Sequence, residues 1–217
     1  MVNADTDDAC RRCGASLLGV ESSASEPFEN KPVENKVVKR GIGRRLIWIA
    51  VTTILLLFGF YLSLLLTSED LGLQQRETVS NAIALLAEKG FDKQVFVLNH
   101  LAKFRATDNW WNGYVGHHDA YAATNFPFEV LTLYPEFFTV AVDDNERAAI
   151  LLHESYHLLG SGEEAALEGV WREKRRLGWT EDRYNQSKVW NNTRQLTMTQ
   201  VPNLFQCGTD GKSDCVP

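Results

Sequence analysis

The chain has no excess of basic residues, no second C-x-x-C pair and no internal repeat. Each deficit removes a class of protein. With 22 Lys and Arg against 28 Asp and Glu, the formal net charge is −6. That is the wrong sign for a surface that tracks a phosphate backbone, so no nucleic-acid partner is expected. Cys10-Arg11-Arg12-Cys13-Gly14 is half of a zinc ribbon, and the other half is missing. A degenerate ribbon, a metal shared in a dimer, a redox pair and an inert remnant all remain open for Cys10 and Cys13. Without repeats there is no solenoid. From Leu46 through Thr67 charge is missing altogether, and Leu, Ile, Val and Phe dominate. At about 1.5 Å per residue that run reaches across a hydrocarbon core of about 30 Å, which predicts one transmembrane helix over 46–67. A cleaved signal peptide would lie at the extreme N-terminus with a shorter apolar region.

The charges flanking this run are asymmetric. Lys31, Lys36, Lys39, Arg40, Arg44 and Arg45 precede it, whereas Ser68, Glu69 and Asp70 follow. The positive-inside rule then places the N-terminus in the cytoplasm and the C-terminal domain on the far side, periplasmic or extracellular. Residues 1–45 are polar, with almost no apolar mass, and are expected to be a disordered cytoplasmic tail. Residues 68–217 are long enough for one folded domain. On the far side of the membrane Cys207 and Cys215 can close a short disulfide loop around Gly208, Asp210 and Gly211.

Within this domain His153-Glu154-Ser155-Tyr156-His157 reads H-E-x-x-H. Residues four apart lie one turn along the same helix face, so both imidazoles can reach one metal ion at about 2.0–2.1 Å. Glu154 follows the first ligand directly and projects beside the metal, where it can act as general base on a bound water. The flanks support a helix: Asp143, Asp144 and Asn145 are N-cap types, and Ala148 through Leu152 form an apolar run. Gly160 is a natural C′ stop. Two histidines and a carboxylate on an apolar helix are costly to bury without a partner.

A third ligand must follow, and the next residues extend the pattern to H-E-x-x-H-x-x-G-x-x-E, ending at Glu163. The chain here resembles the zincin metallopeptidases. Its spacing is that of the metzincin branch, with Glu163 where metzincins carry histidine. Other zincins take glutamate as third ligand in an E-x-x-A context, which Glu163-Glu164-Ala165-Ala166 also fits. Glu164 is the close competitor. Ser161 and Glu164 read as a capping box for the next helix, which leaves Glu163 for the metal. The resemblance also implies a methionine turn beneath the metal, and Met198 is the single methionine besides Met1.

The remaining pattern is α+β: a zincin-like domain with helices beside a small sheet and H-E-x-x-H on a central helix. Helices are expected over Thr78–Lys89, Ala165–Leu177 and Asp182–Gln195. Strands are expected at Gln94–Leu98 and within Phe128–Val142, where Pro135 interrupts. Residues 104–126 read as an extended loop. The substrate implied is a peptide or protein that adds to an edge strand, for which Glu129–Leu133 is the candidate. Tyr156, Tyr184, His117 and His118 are the available oxyanion donors, and Glu168 and Asp144 the possible partners for the ligand histidines. The expected function is a membrane-anchored zinc metallopeptidase with one catalytic Zn2+ held by His153, His157 and Glu163, and Glu154 as base. The alternative is a membrane-anchored binding or sensing protein whose zincin-like domain is not catalytic. A third reading is a metal-dependent hydrolase acting on non-peptide material such as cell wall. Oligomeric state is left open.

Overall fold

A computed structural model describes residues 40–115, 120–208 and 213–216. The chain divides into two units, Met1–Leu46 and Ile47–Pro217. Of the first, only the start of helix α1 (Arg40–Leu66) falls within the described residues. The tail and its Cys10–Cys13 pair lie outside them. Helix α1 carries the apolar run, and over Gly41–Leu66 it is long and apolar enough to cross a membrane.

The second unit is mostly helical around a three-stranded sheet, the α+β class. Helix α2 (Leu73–Glu88) buries Val79, Ala82, Ile83 and Leu86 on one stripe, as the 3.6-residue period requires, and stops before Gly90. The strand expected at Gln94–Leu98 is instead part of helix α3 (Asp92–His100). A short apolar run does not distinguish strand from helix by periodicity. Here Asp92 in the first turn and burial of Val97 and Leu98 against the core decide for helix.

The stretch 104–126 is not one loop. It contains most of β1 (Lys103–Arg105), helix α4 (Trp110–Val115) and strand β2 (Ala122–Asn125). Strand β3 is only Val130–Leu133, because Pro135 opens helix α5 (Pro135–Thr139) at a position where its missing N–H costs nothing. The sheet order is β1-β3-β2, with β3 parallel to β1 and antiparallel to β2. The candidate edge Glu129–Leu133 is therefore wrong. Strand β3 is central, buried at all four residues, and the edge beside the H-E-x-x-H helix is β2.

That helix, α6 (Asp144–Leu158), runs through the middle of the domain between α2 and α7 (Glu163–Leu177). The single helix expected over Asp182–Gln195 is two, α8 (Glu181–Tyr184) and α9 (Lys188–Gln200). The break falls at Ser187, whose hydroxyl accepts from the backbone N–H groups of Val189 and Trp190 and so starts a new helix. Trp171, Trp179 and Trp190 meet under α7 with ring centroids 4.8–6.4 Å apart, and Phe205, in the 3-10 turn Pro202–Phe205, packs 5.1 Å from Trp171. Past this cluster Cys207 and Cys215 form a disulfide. It holds a hook whose Asp214 accepts from Trp171 Nε1 at 3.1 Å and pairs with the buried Lys174 at 2.9 Å.

Candidate metal centre

The site begins at the start of α6. Asp143 caps the helix by accepting from the N–H groups of Asn145 and Glu146 at 3.0 and 3.1 Å. Its other oxygen accepts from the Tyr184 hydroxyl at 2.6 Å. Burial and then this carboxylate push the Tyr184 phenol up to about 12. Tyr184 is thus a fastening for the helix start and not an oxyanion donor. Three residues on, Glu146 is fully buried and accepts from Val142 N–H at 3.0 Å, Trp179 Nε1 at 3.3 Å and the Ser187 hydroxyl. A carboxylate with three donors is a satisfied one, and it ties α6 to both α9 and the tryptophan cluster.

At the other end the helix closes with a Schellman motif. Gly160 N–H bonds the His157 carbonyl and Ser161 N–H bonds the Tyr156 carbonyl, both at 2.9 Å, with Gly160 at φ 82°. The chain reverses here, and Glu163 becomes the first residue of α7. The N-cap is Gly162, with no side-chain cap bond, so the expected Ser161–Glu164 capping box is not formed. Ser161 supports the site through its backbone: its carbonyl lies 3.0 Å from His157 Nδ1 and so orients the ring.

Through this turn three donor groups converge. His153 Nε2 and His157 Nε2 are 3.0 Å apart. They face Glu163, whose two carboxylate oxygens lie 3.5 Å from His153 Nε2 and 3.2 Å from His157 Nε2. The donor atoms all fall within 4.8 Å of one another, close enough for one metal ion. Glu163, and not Glu164, is the acid brought to the histidines. The carboxylate beside His157 raises that imidazole from 6.5 to about 9 against the opposing effect of burial. The two histidines hold Glu163 well below the usual carboxylate range. Two imidazoles and a carboxylate gathered on one point, with the second nitrogen of one ring already bonded to a carbonyl, are the donor set and outer contact that a first-row divalent ion uses.

Comparison with protein-family models, curated proteins and solved structures finds no match. The three donors line a cleft of about 520 Å³ together with Glu154 and the β2 residues Ala122, Ala123 and Thr124. Glu154 is buried, and one of its oxygens accepts from the Thr124 hydroxyl at 2.7 Å. Thr124 was invisible to motif reading, because nothing in a sequence says which strand lies beside a helix.

Other expected residues are elsewhere. Glu168 pairs with Arg172 at 2.7 Å and Asp144 with Arg147 at 2.9 Å, so both serve their own helices, one turn along, and do not hold the ligand histidines. Tyr156 packs on α7 at Gly169, where a Cβ would come within 2.5 Å of its ring. Met198 lies on α9, partly exposed and outside the cleft lining, so no methionine turn forms under the site. His117 and His118 lie outside the described residues.

Proposed function

We propose that this chain is a membrane-anchored zinc metallopeptidase of zincin type, with α1 as a single-pass anchor and the cleft on the far side from the cytoplasm. The observation that carries the reading is the convergence of His153, His157 and Glu163 beside the buried Glu154 in one cleft. Imidazole and carboxylate ligands suit zinc, and three protein ligands leave a coordination position open. When bound, zinc supplies a Lewis acid that polarises a carbonyl and brings the pKa of a coordinated water toward 7.

The chain's own residues do the rest. Thr124 holds one oxygen of Glu154 at 2.7 Å and fixes the carboxylate plane. The other oxygen accepts the proton of the attacking water and returns it to the leaving amine. Strand β2 is an edge, so an extended peptide can pair with its backbone above the histidines. The basic residues before the apolar run and the acidic ones after it support this orientation.

The test is metal content by mass spectrometry on the full chain in detergent micelles, beside hydrolysis of a quenched fluorogenic peptide pool. About one zinc per chain is expected in wild type and in Glu154→Gln, and little in His153→Ala. Hydrolysis is expected only in wild type. A folded, metal-free wild-type chain would instead support a non-catalytic binding module.

A further inference from the structure

Helix α4 is inside out. Its inward positions are polar: Asn112 is 1% exposed, as is Asn109 just before the helix. These asparagines bond each other's neighbours, with Asn109 donating to Asn125, Asn125 to Asn112 and Asn112 to Thr132, at 2.7–3.2 Å. The outward positions are aromatic, with Trp110 45%, Trp111 39% and Tyr114 80% exposed. Scattered exposed apolar residues need no explanation, but a contiguous aromatic face over a polar underside does. It fits a surrounding medium that is itself partly apolar.

That face adjoins α1. Trp110 Nε1 donates to Ser63 Oγ at 2.9 Å, and Phe60 packs edge-on against Trp110 and Trp111 with centroids 5.6 and 5.9 Å apart. Ile47 through Gly59 are exposed throughout, whereas Leu64 is fully buried by the domain. From Ile47 to Ser63 the helix rises about 25 Å, close to the hydrocarbon thickness of about 30 Å. The lipid boundary thus falls where α4 meets α1. Tryptophan and tyrosine are the side chains that collect at this depth. The face also continues to the cleft: Phe128 packs 5.0 Å from Phe60, and Phe126, two residues earlier and 60% exposed, lines the cleft beside Gly160.

We propose that the aromatic face of α4, with Phe126, is seated in the headgroup layer of the bilayer that α1 crosses. The cleft then opens at the membrane surface and takes polypeptides that are themselves tethered to that membrane. The seat rests on the reading of α1 as an anchor, and the substrate class rests on the peptidase reading.

Full-length Trp48→Phe protein in phosphatidylcholine nanodiscs containing dibrominated lipid tests the seat without reference to metal or activity. Trp171, Trp179 and Trp190 are buried in the core and shielded, so Trp110 and Trp111 are the lipid-facing emitters left. Emission is expected to fall by up to about two fifths, and the fall is expected to vanish when Trp110→Phe and Trp111→Phe are added. Unquenched emission would overturn the seat. If such nanodiscs weigh as two chains each, a second copy covers the face instead. For the substrate class, casein coupled to a lipid anchor on the same discs is expected to be cut at least tenfold faster than free casein. Trp110→Ser/Trp111→Ser/Tyr114→Ser is expected to keep the free-casein rate and lose most of that preference. Equal rates for both forms in wild type would overturn the substrate class while leaving a peptidase. Cleavage of neither form with quenching intact would overturn the peptidase reading and leave the seat.

Discussion

In the metal-free chain the cheapest perturbation of the centre is Glu163→Gln, which removes one charge and keeps the side-chain shape. The Glu163 carboxylate 3.2 Å from His157 Nε2 is the main reason that imidazole is raised from 6.5 to about 9. At pH 7.5 a group of pKa about 9 is roughly 97% protonated, and one of pKa 6.5 only about 10%. A zinc ion held by His157 would have to expel that proton, so under the proposed function its binding near neutral pH would release about one proton. The sign follows from linkage. A raised histidine stabilises the metal-free fold fully below pH 6.5 and loses that contribution as pH rises through about 9. The lowered Glu163 adds stability above about pH 4.5 and loses it as pH falls into its depressed range. The metal-free chain is thus expected to lose Tm between pH 6.5 and 9. Imidazole NMR of the metal-free protein should place the His157 midpoint near 9, and clearly lower in Glu163→Gln. A wild-type midpoint at or below 6.5, or one that the substitution leaves unmoved, would refute the argument.

Thr124→Val removes the hydroxyl that holds Glu154 and should lower kcat by about tenfold, on the order of 1.4 kcal/mol, with zinc content unchanged by mass spectrometry. Glu146→Ala strands the donors of Val142, Trp179 and Ser187 in the interior and should cost on the order of 3–5 kcal/mol by denaturant titration. Gly169→Ala drives a methyl into the Tyr156 ring and should weaken zinc affinity several-fold by competition with a chelating dye, because α6 and α7 carry the two halves of the ligand set. Trp171→Ala should cost about 3–5 kcal/mol by thermal melting, leaving the spacing of the metal donors intact.

What could be read in advance was local. The cap at Asp143, the stop at Gly160 and the return to Glu163 all depend on residues within a few positions of one another, and the backbone chemistry of a cap or a left-handed glycine is written in residue type. What could not be read was long-range or balanced by packing. Gln94–Leu98 is helical because burial of Val97 and Leu98 outweighs the strand preference of valine. The asparagines around α4 look like loop formers until their mutual bonds beneath the aromatic face are seen. Thr124 and the Ser161 carbonyl reach the site from an edge strand and from a backbone group, and neither carries a motif.

The turn at Gly160 has a further consequence, for the order in which the molecule assembles. His153, Glu154, His157 and Glu163 fall within one helix hairpin of consecutive chain, α6 to α7. Bringing in a ligand from roughly a hundred residues away, and not ten, would cost about 2 kcal/mol more in loop-closure entropy. Short-range contacts also form fastest. The hairpin, with any ion it holds, can therefore form while the sheet is still unpaired, and Thr124 then joins donors already in place.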